Sequence, residues 1–385
     1  MSTNKISRRD FLKGAAASAV GVASMGVLSA CSTNTPEEPA NAPQGEQTPE
    51  TAPQDITPDA VADYDIVVVG VGCAGISACV AAAELGMKVV GIDRAISVAG
   101  TNACSVVGIY GVGDASEVGA NFNYLTSSSH YQFNNRFVRR YLDIIEKQIA
   151  LYKKNGMSIN TVAVPSINGD FTSVQHMYAK RSTDRAAEFE NMLSKYSNLT
   201  LCWQTEVFEL LTEDGKVTGV YAKGPDGKIT QYNAKGGVIV CTGGFASNMD
   251  MVKQYMGGAV AYHTGNDFTD GSGIKMLQKV GAQIGKNFTI NATEGGALNP
   301  KASGPKNVML PTYNAMLRSI LIGDVILNKR GERFVDEAIM CKKTMMFCSE
   351  PVIREGGHYY SIMTQTEMNM LKEMTLADFC LKRYG

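Results

Sequence analysis

Histidine is scarce in this chain, and the few present form no pattern. The four histidines, His130, His176, His263 and His358, fall at no metal-ligand spacing. Nine cysteines are present, yet none stands in a C-x-x-C or C-x-x-C-H arrangement, so no spacing for attached haem or an iron–sulfur cluster exists. Lysine and arginine are scattered along the chain and the net charge is −1, which argues against nucleic acid as a partner. The apolar run over residues 15–28 is shorter than the ~20 residues a membrane-spanning helix needs. What is left is the composition of a globular protein, and 385 residues suit two domains with ample core.

The ends of that apolar run carry an address. Ser7-Arg8-Arg9-Asp10-Phe11-Leu12-Lys13 reads as a twin-arginine export motif, and residues 1–31 are signal, not fold. Leu28-Ser29-Ala30-Cys31 resembles a bacterial lipobox, so Cys31 is expected to become a lipid-bearing N-terminus on the outer face of the cytoplasmic membrane. Residues 32–62 are rich in Pro, Glu, Gln, Thr and Ala and hold almost no bulky apolar side chains. They cannot bury enough surface to fold, so they read as a disordered tether.

The stretch from Asp65 to Asp93 organises the rest of the chain. Residues 66–71 are an apolar run expected to form a buried strand, and Gly70, Gly72 and Gly75 stand in G-x-G-x-x-G spacing at its end. Gly70 allows the tight turn, Gly72 lets backbone approach a pyrophosphate, and Gly75 lets helix and strand pack closely. An Ala-rich run over residues 76–85 predicts a helix whose N-terminus offers free N–H groups to phosphate. A second strand, residues 89–92, ends on Asp93, the acid that can accept ribose hydroxyls. A dinucleotide site is the expectation. Cys73 and Cys79 fall in this unit, where small buried residues suit the packing.

Beyond it, a Gly-rich run reaches Gly113, and apolar periodicity predicts helices over 136–154 and 181–196. Residues 201–211, 217–223 and 228–232 alternate around turns at Asp214-Gly215 and Asp226-Gly227, which predicts an antiparallel meander. A further buried strand, 237–241, meets the turn Thr242-Gly243-Gly244, and a helix opens after Thr269-Asp270-Gly271.

Taken in order, these blocks resemble the flavoprotein subunit family of fumarate reductase and succinate dehydrogenase, in its soluble fumarate reductase and flavocytochrome branch. Its first βα unit matches residues 65–93, with Asp93 where Glu is usual. Its G-G-N-T/S block matches Ala99-Gly100-Thr101-Asn102, its A-T-G-G-F block residues 241–245, and its G-D-G block residues 269–271. Its N-x-x-G-x-R-F-V-x-E block matches residues 328–337. The resemblance implies an α/β fold: a doubly wound, Rossmann-like FAD domain over 63–287 with an inserted antiparallel meander, and a partial α+β cap over 288–385. It implies FAD as cofactor. The contacts would come from Gly70, Gly72, Cys73, Ala74 and Gly75 in the first turn, Asp93 and Arg94 after the second strand, and Gly100, Thr101 and Asn102. Val207, Thr242, Gly243, Gly244 and Asp270 complete the set. The family's histidyl attachment has no counterpart, since residues 103–115 hold no histidine, so FAD is expected to be non-covalent.

The same resemblance implies hydride transfer to an alkene, with a cap arginine as proton donor and polar side chains clamping carboxylates. Here the chain departs. Cys341 stands at the arginine's place by count, and Asn291-Ala292-Thr293-Glu294 replaces the His-containing block. Glu294, Tyr313, Arg318 and Lys342 are the candidate substitutes. Arg318 can fork onto a carboxylate and stabilise developing enolate charge. Arg333 is expected to pair with a carboxylate structurally. The family's C-terminal return segment has no match in residues 340–385, where Thr364 and Glu367 instead have capping-box spacing. The expectation is a truncated product or fragment of a longer reductase. The function implied is an exported FAD-dependent reductase of an activated C=C bond in a small organic acid or enone. Its electrons would come from an extracytoplasmic flavoprotein or cytochrome, because the single dinucleotide fingerprint is taken by FAD. The alternative is a dehydrogenase of another substrate, or a catalytically degenerate FAD-binding surface protein.

Overall fold

The structure is a computed structural model. It describes residues 56–101, 103, 108–129, 131, 133–165, 171–180, 182–255, 268–285, 325–335, 354–356 and 359–373. Its centre is the βαβ unit formed by β1 (Ala60–Val69), α1 (Cys73–Glu84) and β2 (Val89–Ile92). Strand β1 opens at Ala60, inside the stretch read as tether, because β9 (Ile229–Val240) offers a partner for each of those residues, beginning with Ala60 beside Thr230. Helix α1 opens at Cys73, three residues before the helix-favouring run, since nothing bars Cys73, Ala74 and Gly75 from the first turn.

A six-stranded sheet is built outward from β1 in the order β6-β2-β1-β9-β8-β7, where β6 is Leu199–Cys202, β7 Glu206–Glu213 and β8 Lys216–Lys223. The pairs β6/β2, β2/β1 and β1/β9 are parallel, whereas β9/β8 and β8/β7 are antiparallel. The two stretches read from sequence as separate strands, 228–232 and 237–241, are one strand here, β9. It pairs with the meander along its first half and with β1 along its whole length. The sheet buries both faces, as parallel strands require. Val68, Val89 and the α1 residues Ile76, Cys79 and Val80 pack on one side with Tyr152, Phe189, Met192 and Leu193. Val67, Val69, Val90 and Ile92 pack on the other with Val220, Tyr232 and Met276. This is the doubly wound arrangement expected.

The helices on the first face are α3 (Asn135–Lys154) and α4 (Ser182–Leu193), close to the spans their periodicity predicts. Asn134 caps α3 by accepting from the amides of Arg136 and Phe137. Between β2 and α4 lies an element with no sequence forecast: an antiparallel sheet β3-β5-β4, from Gly108–Gly111, Thr172–Tyr178 and Ile159–Pro165. Helix α2 (Val118–Ser128) and α3 pack on it through Val112, Val118, Val138 and Leu142. A buried polar pin holds it. His176, 2% exposed, lies with Nε2 2.9 Å from Glu146 Oε1 and Nδ1 3.0 Å from Thr161 Oγ1. A carboxylate only accepts, so Nε2 is the donor, and Nδ1 can accept the Thr161 hydroxyl. The same Glu146 oxygen accepts the amides of Val112 at 3.0 Å and Gly113 at 3.2 Å. Burial alone would raise the Glu146 carboxyl, but the hydrogen bonds from His176, Gly113 and Val112 outweigh it and hold it below its ordinary value.

Helices α5 (Met249–Tyr255) and α6 (Ser272–Lys279) come after β9. Further on, β10 (Val325–Leu327) pairs antiparallel with β11 (Tyr360–Ile362), and α7 (Gln365–Glu373) closes the described chain. The block at residues 328–337 begins as a turn built on buried Asn328. Its Oδ1 accepts from the amides of Arg330 and Glu332, and its Nδ2 donates to Glu332 and Glu355. Arg330 pairs with carboxylates in this turn, at 2.7 Å to Glu332 and 3.3 Å to Glu355. Arg333 bridges Leu327 through its backbone. The capping box forms as its spacing predicts: the Thr364 amide donates to Glu367, and the Glu367 amide to Thr364 Oγ1.

Candidate functional site

The C-terminal ends of β1, β2 and β9 open onto one cleft of about 450 Å³. It lies where the strand order reverses direction, with β2 on one side of β1 and β9 on the other, the position at which open α/β sheets receive ligands. The three glycines of the first turn divide the labour there. Gly70 holds φ at +91°, and a Cβ on it would stand 2.6 Å from the Cys241 carbonyl oxygen. A Cβ on Gly75 would stand 1.8 Å from the Gly70 carbonyl oxygen. Both are therefore packing glycines, one joining β1 to β9 and the other joining α1 to β1. At Gly72 no atom lies within 4 Å of a Cβ position, and the residue lines the cleft. A side chain there would enter the space that a ligand's backbone would use.

Helix α1 points its N-terminus into this space. Its N-cap, Gly72, makes no side-chain hydrogen bond, and its first turn holds no acidic residue. Cys73 and Ala74 are exposed on that turn and line the cleft. A 12-residue helix with an uncapped, acid-free start suits a phosphate through its amides and dipole.

Asp93 ends β2 at the cleft, and its carboxylate also ties the turn together. Oδ2 accepts the Val71 amide at 2.6 Å and Oδ1 the Ala95 amide at 2.7 Å. Each oxygen has a further lone pair, so hydroxyl groups of a ribose remain acceptable partners. Arg94 reaches across the cleft mouth. It donates to Asp270 Oδ2 at 2.9 Å and to the Phe268 carbonyl, stands 3.8 Å from Glu206, and lies over the Phe268 ring at 5.1 Å. Burial would raise the Asp270 carboxyl, but Arg94 and the Ser272 amide outweigh it and bring it down to about 2. Thr242 is held by the close approach of α6, since a Cβ on Gly273 would fall 1.9 Å from Thr242 Oγ1.

Of the residues singled out in the sequence, Gly70, Gly72, Cys73, Ala74, Asp93, Arg94, Thr101, Val207, Thr242 and Gly243 line this one cleft. Gly75 and Gly100 are not among its lining residues: Gly75 packs on the Gly70 carbonyl and Gly100 on Ala95. Gly244 accepts the Gly271 amide at 3.1 Å, and Asp270 enters through Arg94. Asn102 and the four substrate candidates, Glu294, Tyr313, Arg318 and Lys342, lie outside the described residues, as does Cys341. The thiols differ from the sequence expectation in one respect. Cys79 is buried and pushed up to about 12 by that burial and by Cys241 beside it, but Cys73 is exposed. Position one of a helix opening onto a cleft has no core to enter. Thr205, Glu206, Phe268, Ser272 and Met276 also line the cleft and were not anticipated. No local pattern marks them: Thr205 joins the cleft because it ends the connection after β6, a strand parallel to β2, where its amide donates to the Asp93 carbonyl at 3.0 Å.

A second depression, about 350 Å³, is lined by residues of the β8–β9 hairpin such as Gly224, Asp226, Lys228 and Thr230, and no helix N-terminus lines it. The first cleft is the candidate site. Its open glycine, uncapped helix start and terminal acid fit the adenosine-diphosphate half of a dinucleotide.

Comparison with known proteins agrees with this chemistry. The FAD binding domain family matches residues 65–373, and the twin-arginine translocation pathway signal sequence matches residues 5–24. The chain is similar to the vinyl phenol reductase of Lactiplantibacillus plantarum, 26% identical over 301 residues that cover 72% of this chain and 57% of that protein. It is also similar to the NADH:fumarate oxidoreductase of Klebsiella pneumoniae, 24% identical over 318 residues, 78% of this chain and 32% of that protein. The chain thus spans a little over half and about a third of these two relatives. Among solved structures, the 3-ketosteroid Δ1-dehydrogenase of Sterolibacterium denitrificans matches with a TM-score of 0.59, at 18% identity over 72% of this chain and 64% of that one. The open conformation of a flavocytochrome c3 fumarate reductase matches with a TM-score of 0.54, at 17% identity over 83% of this chain and 60% of that one. Both likenesses concern the fold.

Proposed function

The chain belongs to the FAD binding domain family, and from that premise we propose that it reduces an activated C=C bond in a small organic acid or enone. It is an exported FAD-dependent oxidoreductase related to the fumarate and enone reductases. FAD supplies hydride chemistry when bound. In this reading Gly72 and the first turn of α1 hold the diphosphate, Asp93 takes the ribose hydroxyls, and the Arg94–Asp270 pair fixes the wall beside them. The proposal keeps Gly70, Gly75, Gly100, Thr101, Asn102, Val207, Thr242, Gly243 and Gly244 as the rest of the cofactor set. Residues 63–287 form the cofactor domain and 288–385 contribute the substrate side. The single observation that carries it is the cleft itself, which gathers ten of the motif residues at the strand-order reversal.

The substrate side rests on Glu294, Tyr313, Arg318 and Lys342, with Arg318 or Lys342 delivering the proton and Glu294 and Tyr313 orienting the acceptor. Replacement of the family's arginine position by Cys341, and loss of the His-containing block, favour an acceptor other than a dicarboxylate. The flavin is held non-covalently, the electron donor is an extracytoplasmic flavoprotein or cytochrome, and Cys31 carries the lipid anchor. The test is spectroscopic. The oxidised flavin band is bleached with reduced viologen, and fumarate, acrylate, a vinylphenol and a cyclic enone are added singly. Return of the band with one alkene, and no turnover with NADH alone, is the expected result. A band that no alkene restores sinks the reductase reading. Acid precipitation should leave FAD in the supernatant, and Cys31→Ala should release the protein from the membrane fraction.

A further inference from the structure

Helix α3 has two faces that are both built, and only one of them faces the core. Inward it buries Val138, Leu142, Ile145, Ile149 and Tyr152. Outward it presents Phe137, Arg140, Ile144 and Lys147 at i, i+3, i+7 and i+10, a single stripe on which apolar and basic side chains alternate. Phe137 is 73% exposed and Ile144 39%. The connection leading into the helix carries two further exposed aromatics, Tyr131, 73% exposed at φ +60°, and Phe133, 45% exposed. Isolated exposed apolar residues need no explanation, but three exposed aromatics within seven residues, two on the connection and one in the first turn of the helix, are a local concentration.

The charge on this face has one sign. The helix carries six basic and two acidic residues in a chain of net charge −1. Of its two acids, Asp143 is paired with Arg139 at 3.1 Å and Glu146 is turned inward to His176. Among the described residues Arg136, Arg140 and Lys147 have no ion-pair partner, and all three are exposed. Free cations on long apolar stems, interleaved with aromatic rings and with no free acid among them, are the chemistry of a helix lying on anionic lipid. The stems and rings enter the headgroup boundary while the cations meet phosphate. The twin-arginine signal carries this chain across a membrane, whose far surface is then beside it.

We propose that the outward face of α3, with Tyr131 and Phe133, is a membrane-surface contact that binds anionic phospholipid headgroups. This surface works independently of which alkene the cofactor site serves. Its strength should fall with salt, because exposed charges act within a Debye length.

The experiment measures co-sedimentation with vesicles of phosphatidylglycerol and phosphatidylcholine against vesicles of phosphatidylcholine alone. The full chain is used with Cys31→Ala in every sample, so that no acyl anchor contributes and the N-terminal segment's share cancels between samples. Wild type should partition to the anionic vesicles and lose that preference in high salt. The variant Arg136→Gln/Arg140→Gln/Lys147→Gln should partition at least about tenfold more weakly. Tyr131→Ser/Phe137→Ser should weaken binding to anionic vesicles while leaving the salt dependence. Unchanged FAD content and thermal unfolding in both variants show that the fold is intact. Equal partitioning of wild type and the triple variant, or of wild type to the two vesicle types, overturns the proposal. So does a patch that instead drives self-association or capture of a soluble redox protein without any vesicle difference.

Discussion

Where β1 meets α1 and β9, the six-stranded sheet is fixed by missing atoms. Gly70 and Gly75 allow three backbones to approach to distances that no Cβ could share, and the flanking valines fill both faces. In the three-stranded sheet the joint is the opposite kind. Glu146 from α3 reaches the β3 turn and His176 of β5, and Asn121 of α2 donates to the Glu117 and Thr172 carbonyls. Steric closeness tolerates no substitution but is indifferent to pH. A polar pin tolerates relaxation but depends on ionisation, and leaving it half-made strands buried donors. The cofactor cleft was built on the first kind of joint.

The sharpest test of that contrast is Gly75→Ala. The added Cβ would overlap the Gly70 carbonyl, so the variant should lose about 3 kcal/mol or more and most of its soluble, flavin-loaded protein. A normal urea midpoint for this variant would break the comparison at its strongest point. Next is Glu146→Ala, which leaves His176 and the amides of Val112 and Gly113 without their acceptor, at about 2 kcal/mol. Its melting temperature should fall by several degrees while flavin per protein stays constant. Flavin lost in step with stability would mean that the two regions are not separable.

Smaller is Asp270→Asn. The Asp270 carboxyl is held down to about 2 in the folded chain, so its contribution is present in full above about pH 4 and fades as pH falls towards 2. Discounted for exposure, it is about 1 kcal/mol. The stability gap between wild type and variant should therefore shrink between pH 5 and pH 2.5, and a constant gap would remove Arg94 as its cause. The smallest effect on stability belongs to Gly72→Ala. Its φ of −80° suits any residue and its Cβ meets nothing, so stability should change by less than about 0.5 kcal/mol. FAD affinity should nevertheless drop at least about tenfold, by titration of the apoprotein. Unchanged affinity would move the diphosphate away from this turn.

These two joints also explain why one region was legible in the sequence and the other was not. A glycine's function is written in its own position, and an apolar run leading into G-x-G-x-x-G and a terminal acid specifies strand, turn and helix within 29 residues of each other. The cleft residues Gly70, Gly72, Cys73, Ala74, Asp93, Arg94, Thr242 and Gly243 were legible for that reason. The small sheet was not. Strand β4 is mostly exposed and lacks alternation, β3 is four residues of which the first and last are glycine, and β5 owes its place to a histidine whose partners lie 15 and 30 positions away. No local period announces a pin between such distant groups. Thr205 and Phe268 were missed similarly, since each joins the cleft only because a distant strand end passes by.

Strand β9 has a consequence for how the molecule comes into being. It closes the cleft by pairing with β1 across a gap of about 170 residues, from Ala60 beside Thr230 to Val69 beside Val240. Every earlier stretch can form local structure as it leaves the ribosome, but the wall carrying Cys241 to Gly243 arrives after most of the described chain. Pairings of such long range are slow to form. The cleft is therefore a late product of folding, and a bound dinucleotide reports that the ends of the sheet have already found each other. For a chain that carries a twin-arginine signal, the late arrival of β9 sets an order of events: a cofactor that needs this wall can be held only after β9 has paired with β1.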